Sequence, residues 1–237
     1  MDNAQNRQYD EMLAANLERL AGIDLRAAAE RAGLEWDEGG VVAVSFGQRV
    51  RLDGITLRPT PEIDMWQHLA MLQYLWGADG SLPTDRWIGM GDLAEGGMIR
   101  GASFDGEIDR LIAARLGKCA PEAVRRACLK LGAALRADGK ADLCAEFHFL
   151  PRFPLLLNLW FADDEFPASG KLLVNEAVHR CLGTEAIGTL GCMLVGRICE
   201  AAEKTDLSPR DKSVFSTPNT PQAFPADPRP GWNRYRR

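Results

Sequence analysis

Tyr9, Met12, Leu13, Leu17 and Leu20 recur every three or four residues, the spacing that lines one face of an α-helix, and Gly22 follows as a stop. A shorter helix is predicted from an Asp24 cap to Ala32, closed by Gly33. The pattern then changes. VVAVSF at 41–46, the pair Gly47-Gln48, RVRL at 49–52, Asp53-Gly54 and ITLRP at 55–59 read as a β-meander, because glycine-containing pairs separate short β-rich runs. Thr60-Pro61 then supplies a helix cap and an N1 proline for a broad apolar stripe of Ile63, Trp66, Leu69, Met71, Leu72, Leu75 and Trp76, ending at Gly77.

From 78 to 104 the glycines and the isolated aromatics Trp87 and Phe104 predict an ordered loop or irregular strands. Helices resume at about 107–116 and 121–131. Leu143, Ala145, Phe147 and Phe149 then alternate with Cys144, Glu146 and His148, the period of a half-buried strand, and 155–161 is its expected neighbour. Residues 171–175 read as one more strand. Thr184 opens a last helix with Ile187, Leu190, Leu194, Val195 and Ile198 on one face; Gly188, Gly191 and Gly196 weaken it, so close packing against another element is the expected compensation.

These elements predict an α+β fold in which helices pack on an antiparallel β-sheet, as a single domain over 1–203. The alternative is two small subdomains split near Gly106. Residues 204–237 change character: six of the thirteen prolines lie between Pro209 and Pro230, without apolar periodicity, so a disordered basic tail is expected. That tail carries seven Lys or Arg against three Asp, which leaves the rest of the chain more acidic than the −5 of the whole. An acidic balance argues against a nucleic-acid partner. The N-terminus has no apolar signal region and no run approaches the ~18 apolar residues of a membrane helix, so the chain is expected to be cytoplasmic, with no membrane partner.

Chemistry is thinly marked. The six cysteines, at 119, 128, 144, 181, 192 and 199, form no CxxC or CxxxC, so no metal, iron-sulfur cluster or other cofactor is expected. No GxSxG, HExxH, GxGxxG or phosphate loop occurs. The clearest candidate is 150–167, LPRFPLLLNLWFADDEFP, where an apolar run ends in Asp163, Asp164 and Glu165. Such a cluster is either an acidic turn or a place for acid–base chemistry. Arg152, stiffened between Pro151 and Pro154, is either an anion clamp or the ion-pair partner of Asp164 or Glu165. Asp79 would form the facing wall of the cleft, with Trp76 and Trp87 as aromatic surface. Two lesser groupings are Cys144, Glu146 and His148 on one strand face, and His179 near Glu176; each also reads as ordinary surface.

Gly77-Ala78-Asp79-Gly80, Pro83, Trp87, Leu93, Gly96-Gly97, LPRFPLLLNLW at 150–160 and Asp-Glu-Phe-Pro at 164–167 together resemble the uncharacterised prokaryotic domain-of-unknown-function family 3786, over about 10–203. The resemblance implies no established activity. Some relatives join this domain to a cysteine-rich iron-sulfur segment, which implies a link to one-carbon or corrinoid metabolism in anaerobes; this chain lacks that segment. It also has Val174-Asn175 where relatives tend to have Phe-Asp. The resulting expectation is an accessory or small-ligand-binding protein with a small-molecule ligand or a metabolic partner protein. The alternatives are an enzyme using Asp163, Asp164 and Glu165, and a structural interaction module.

Overall fold

A backbone hydrogen bond, Phe46 N–H to the His148 carbonyl at 2.9 Å, joins two antiparallel sheets in the computed structural model, which describes residues 3–93, 97–137 and 141–206. The predicted tail beyond 206 lies outside the described residues. The first helices are α1 (Asn3–Leu20) and α2 (Leu25–Ala32). The α2 ends follow from local chemistry. The Asp24 carboxylate accepts from the Arg26 and Ala27 amides, and Gly33 takes the left-handed conformation at φ 72° that lets its N–H reach the Ala29 and Glu30 carbonyls.

The first sheet runs β1 (Glu35–Asp37), β2 (Gly40–Ser45), β3 (Gln48–Asp53), β4 (Pro59–Thr60), in that order. Ser45 faces Gln48, so the hairpin turn is Phe46-Gly47, both at positive φ, one residue earlier than the expected Gly47-Gln48. β4 is also shorter than the predicted strand. Asp53 accepts from the Ile55 and Thr56 amides and the Thr56 hydroxyl, and these bonds hold 54–58 as a loop. Helix α3 (Met65–Gly77) begins later than Thr60-Pro61. Thr60 is paired with Arg51 in the sheet, and Asp64 caps the helix through the Trp66 and Gln67 amides.

The second sheet contains β5 (Trp87–Ile88), β6 (Ala134–Arg136), β7 (Leu143–Leu150), β8 (Phe153–Trp160) and β9 (Ser169–Asn175), ordered β5-β9-β8-β7-β6. Both predicted long strands are present and form a hairpin, with Phe147 opposite Leu155 and Ala145 opposite Leu157. Pro154 sits beside the register shift at His148 and Leu150, where a missing N–H is tolerated. Ala145, Phe147, Leu155, Leu157, Leu159 and Val174 are fully buried. Helix α4 (Ala102–Ala114) packs on β9, and α6 (Thr184–Asp206) packs on both α4 and α5 (Pro121–Lys130). Gly106 lies inside α4, and that helix packs on both β9 and α6, so the chain is not divided there. The described residues make one compact unit. Among the described residues no helix is long and apolar enough to cross a membrane.

Two of the three α6 glycines, Gly188 and Gly191, have the close neighbours expected of them, and Gly196 does not. A Cβ on Gly188 would lie 2.1 Å from the Phe104 ring, and one on Gly191 would lie 2.7 Å from Met90 Cε and 2.9 Å from Ile108 Cδ1. Gly196 has open space. Chemical denaturation should therefore separate two formally identical substitutions. Gly188→Ala is expected to destabilise by about 1–3 kcal/mol through overpacking, and Gly196→Ala to stabilise by about 0.5–1 kcal/mol. Equal effects would show that α6 does not seat on α4 in this way.

Candidate functional site

Arg152 lies in the turn between β7 and β8, and its surroundings are structural. Its Nη1 donates to the Arg31 carbonyl, in the last turn of α2. The guanidinium lies over Gly33, where a Cβ would come within 2.9 Å of Nε, and near Gly80. Arg31 in turn donates from Nε to the Ala78 carbonyl at 2.8 Å, and the Arg152 amide donates to the Tyr74 hydroxyl at 3.2 Å. Two arginines thus tie the end of α2 to the end of α3 and to the β7–β8 turn. An arginine on the last carbonyls of a helix also meets the negative end of its dipole.

The acidic cluster is elsewhere. Asp163, Asp164 and Glu165 follow β8 at its far end, and the eight residues of that strand separate them from Arg152 by roughly 25 Å at ~3.3 Å per residue. The expected ion pair between Arg152 and Asp164 or Glu165 is therefore not made, because opposite ends of one strand cannot meet. Asp163 is occupied by its own turn. Its Oδ1 accepts from the Glu165 and Phe166 amides at 2.9 and 2.7 Å, and its N–H donates to the Phe166 carbonyl. Those amide bonds, Phe166 foremost, hold its carboxyl below the ordinary range, the opposite of what a general acid needs. Asp164 and Glu165 are exposed.

Asp79 and Trp87 share the Arg152 end of the second sheet, but the depression that Trp87 lines includes neither Asp79 nor Arg152. Asp79 is exposed; its Oδ1 accepts from the Ser81 amide at 2.8 Å, and Arg180 Nη1 lies 4.0 Å from Oδ2. The Ser81 bonds hold its carboxyl low. Trp87, half-buried on β5 opposite Asn175, lines a separate depression of about 430 Å³ with Asp92, Asp105, Asp109 and Lys171. Asp105 is engaged by the Met90 and Gly91 amides. Burial first, then the Asp105 charge, pushes the Asp109 carboxyl up. Asn175, the position where the sequence departs from Phe-Asp, is buried and structural: its Oδ1 accepts from the Thr84 amide and its Nδ2 donates to the Thr84 carbonyl. An aspartate would lose that donor.

The lesser groupings are also occupied. Glu146 Oε1 accepts from His148 Nε2 at 3.2 Å and Oε2 faces Arg136 Nη1 at 3.1 Å, while Cys144 is buried. His179 Nδ1 donates to the Glu176 carbonyl, and the Glu176 carboxylate pairs with Arg86 at 3.3 Å. Among the described residues no group of three or more His, Cys, Asp or Glu could hold a metal ion.

A further concavity lies between helices. A basin of about 580 Å³ is lined by Met12, Trp66, Leu69, Gln73, Phe104 and Thr189, among others, and adjoins a second of about 470 Å³ lined by Arg19, Trp76, Arg180 and Cys181. Met12, Gln73 and Gly183 line both, so the two form one groove between α1, α3 and the start of α6. Arg19 stacks 4.5 Å over the Trp76 ring, whose Nε1 donates to Asn16 Oδ1 at 2.8 Å. Trp76 was legible as aromatic surface. The usable signal for the rest was Arg180 placed just ahead of Gly183-Thr184, where a long helix opens.

A family model described as Domain of unknown function (DUF3786) matches residues 24–197. The match begins at the α2 cap and ends inside α6, so α1, one wall of the groove, falls outside it. No curated protein and no solved structure matches the chain.

Removing the Arg152 side chain, by Arg152→Ala, is expected to cost about 1 kcal/mol, the scale of one hydrogen bond at a helix end. A melting temperature equal to wild type would show that the α2 carbonyl does not need it. The second expectation concerns acid. The His148 hydrogen bond, and then the Arg136 charge, hold the Glu146 carboxyl below its ordinary value. Its carboxylate therefore stabilises the fold above the ordinary carboxyl pKa of ~4.3 and ceases to do so as pH falls through the lower folded value. Denaturation midpoints measured from neutral pH down to about pH 3 should fall less steeply for Glu146→Gln than for wild type; parallel curves would remove the linkage.

Proposed function

The chain belongs to the DUF3786 family, and on that premise we propose that it is a small-ligand-binding protein whose ligand occupies the groove between α1, α3 and the start of α6. The observation that carries this reading is the continuity of the two basins through Met12, Gln73 and Gly183. Their combined size suits a drug-sized molecule, and aromatic and aliphatic walls with a few polar groups are what such sites use. The accessory role in one-carbon metabolism rests on the family resemblance; within it, the groove favours a compact ligand over a corrinoid macrocycle.

The two other classes draw less support. Catalysis by Asp163, Asp164 and Glu165 would need a carboxyl kept protonated or a partner group, and Asp163 is instead locked into its turn. For an interaction module, a contiguous apolar face is wanted. The exposed large apolar side chains Val44, Ile55, Leu82, Met98, Leu129 and Phe166 are scattered along the chain on separate elements and loops.

The test uses a neutral apolar dye, N-phenyl-1-naphthylamine, whose emission rises on leaving water. Wild type is expected to bind it saturably. Gln73→Trp, which places bulk on the wall shared by both basins, is expected to weaken binding at least tenfold while leaving the melting temperature within a few degrees. Saturable binding that Gln73→Trp leaves unchanged would place the ligand elsewhere.

A further inference from the structure

The groove is asymmetric in charge. Arg19 and Arg180 line the smaller basin, which has no carboxylate in its lining. The larger basin has Glu185, and that carboxylate is engaged by Arg100. We propose that the groove selects an amphipathic anion, a carboxylate or phosphate on an apolar body, with the anionic group between Arg19 and Arg180 and the body along Met12, Trp66 and Phe104. This rests on the groove being the ligand site.

The geometry of each cation supports that orientation. Arg19 Cζ lies 4.5 Å over the Trp76 ring, a cation–π contact that holds the guanidinium at the basin without neutralising its charge. Among the described residues no carboxylate lies at ion-pair distance from Arg19. Arg180 donates to the Ser81 hydroxyl at 3.0 Å and stands 4.0 Å from Asp79, the outer limit of an ion pair, so its charge is only partly neutralised. Burial pushes the Cys181 thiol up to about 11, so at neutral pH that residue adds no negative charge to the basin. The opening turn of α6, at the shared Gly183 wall, contributes partial charge of the same sign. At the other end Leu69 is buried and Trp66 and Phe104 present ring surface, with no uncompensated charge.

The cation pair also divides along the chain. Arg180 lies within the family match and Arg19 outside it, so α1 supplies half of the anion selectivity. This makes α1 the element whose replacement should change the ligand class.

The experiment is displacement of N-phenyl-1-naphthylamine from the full chain by decanoate, decanol and decyltrimethylammonium, each below its micelle-forming concentration. Decanoate should displace the dye at a concentration at least tenfold below decanol, and decyltrimethylammonium should be the weakest. Arg19→Gln combined with Arg180→Gln should bring decanoate to the decanol value, both displacements being read against the variant's own dye affinity. Equal displacement by decanoate and decanol in wild type would overturn the anion selectivity and leave the groove reading standing. A decanoate preference that survives the double substitution would overturn the assignment to these two arginines. If neither the dye nor decanol binds, the groove reading itself falls, and this inference with it.

Discussion

The Tyr74 hydroxyl holds three elements at one point. Tyr74 is fully buried on α3, donates to the Ala32 carbonyl at the end of α2 and accepts from the Arg152 amide in the β7–β8 turn. Burial pushes its phenol well above the ordinary range, so it stays neutral and can serve as donor and acceptor together. A buried hydroxyl without partners would cost on the order of 1–3 kcal/mol, and here each partner is also a backbone group that needs satisfying. The position of α3 relative to the second sheet follows from that requirement. So does the position of everything α3 carries, including Trp66, Gln73 and Trp76.

The opposite wall of the groove is set by sterics. α6 can approach α4 only where it lacks side chains, and Phe104 fills the space over Gly188. That contact fixes the Phe104 ring at the groove wall and brings Gly183 to the junction of the two basins. Gly77 meets the Cys181 carbonyl in a similar way, with a Cβ there only 2.7 Å from the oxygen. Glycines that weaken local structure thus define the concavity, since each marks a close approach of two backbones or of a backbone and a ring.

Two arginine roles are exchanged relative to what the chain suggests. Arg152, between two prolines, has the look of a clamp but satisfies a helix end, while Arg19 and Arg180 lie where an anion could be met. The difference is one of partners. A guanidinium facing free carbonyls at the end of a helix is satisfied within the fold, whereas one held over an indole keeps its charge.

Local physics is legible in the sequence: the Asp24 cap and Gly33 stop of α2, the paired strands expected near 143–149 and 155–161 and found at 143–150 and 153–160, and the close packing expected of three α6 glycines and met at Gly188 and Gly191 but not Gly196. These depend on residues within a few positions, or on a period that reports which face is buried. Where two local signals competed, tertiary pairing decided. Thr60 went to the sheet and left the helix cap to Asp64, and Asp53 held a loop where a strand was expected. The site belonged wholly to tertiary structure. Arg152 finds its acceptor 121 residues away, the acidic cluster it was expected to meet lies across a full strand, and the groove is assembled from three helices far apart in the chain. Sequence spacing gives the direction of a side chain only within its own element, and which elements face each other is fixed by burial and backbone satisfaction summed over the whole fold.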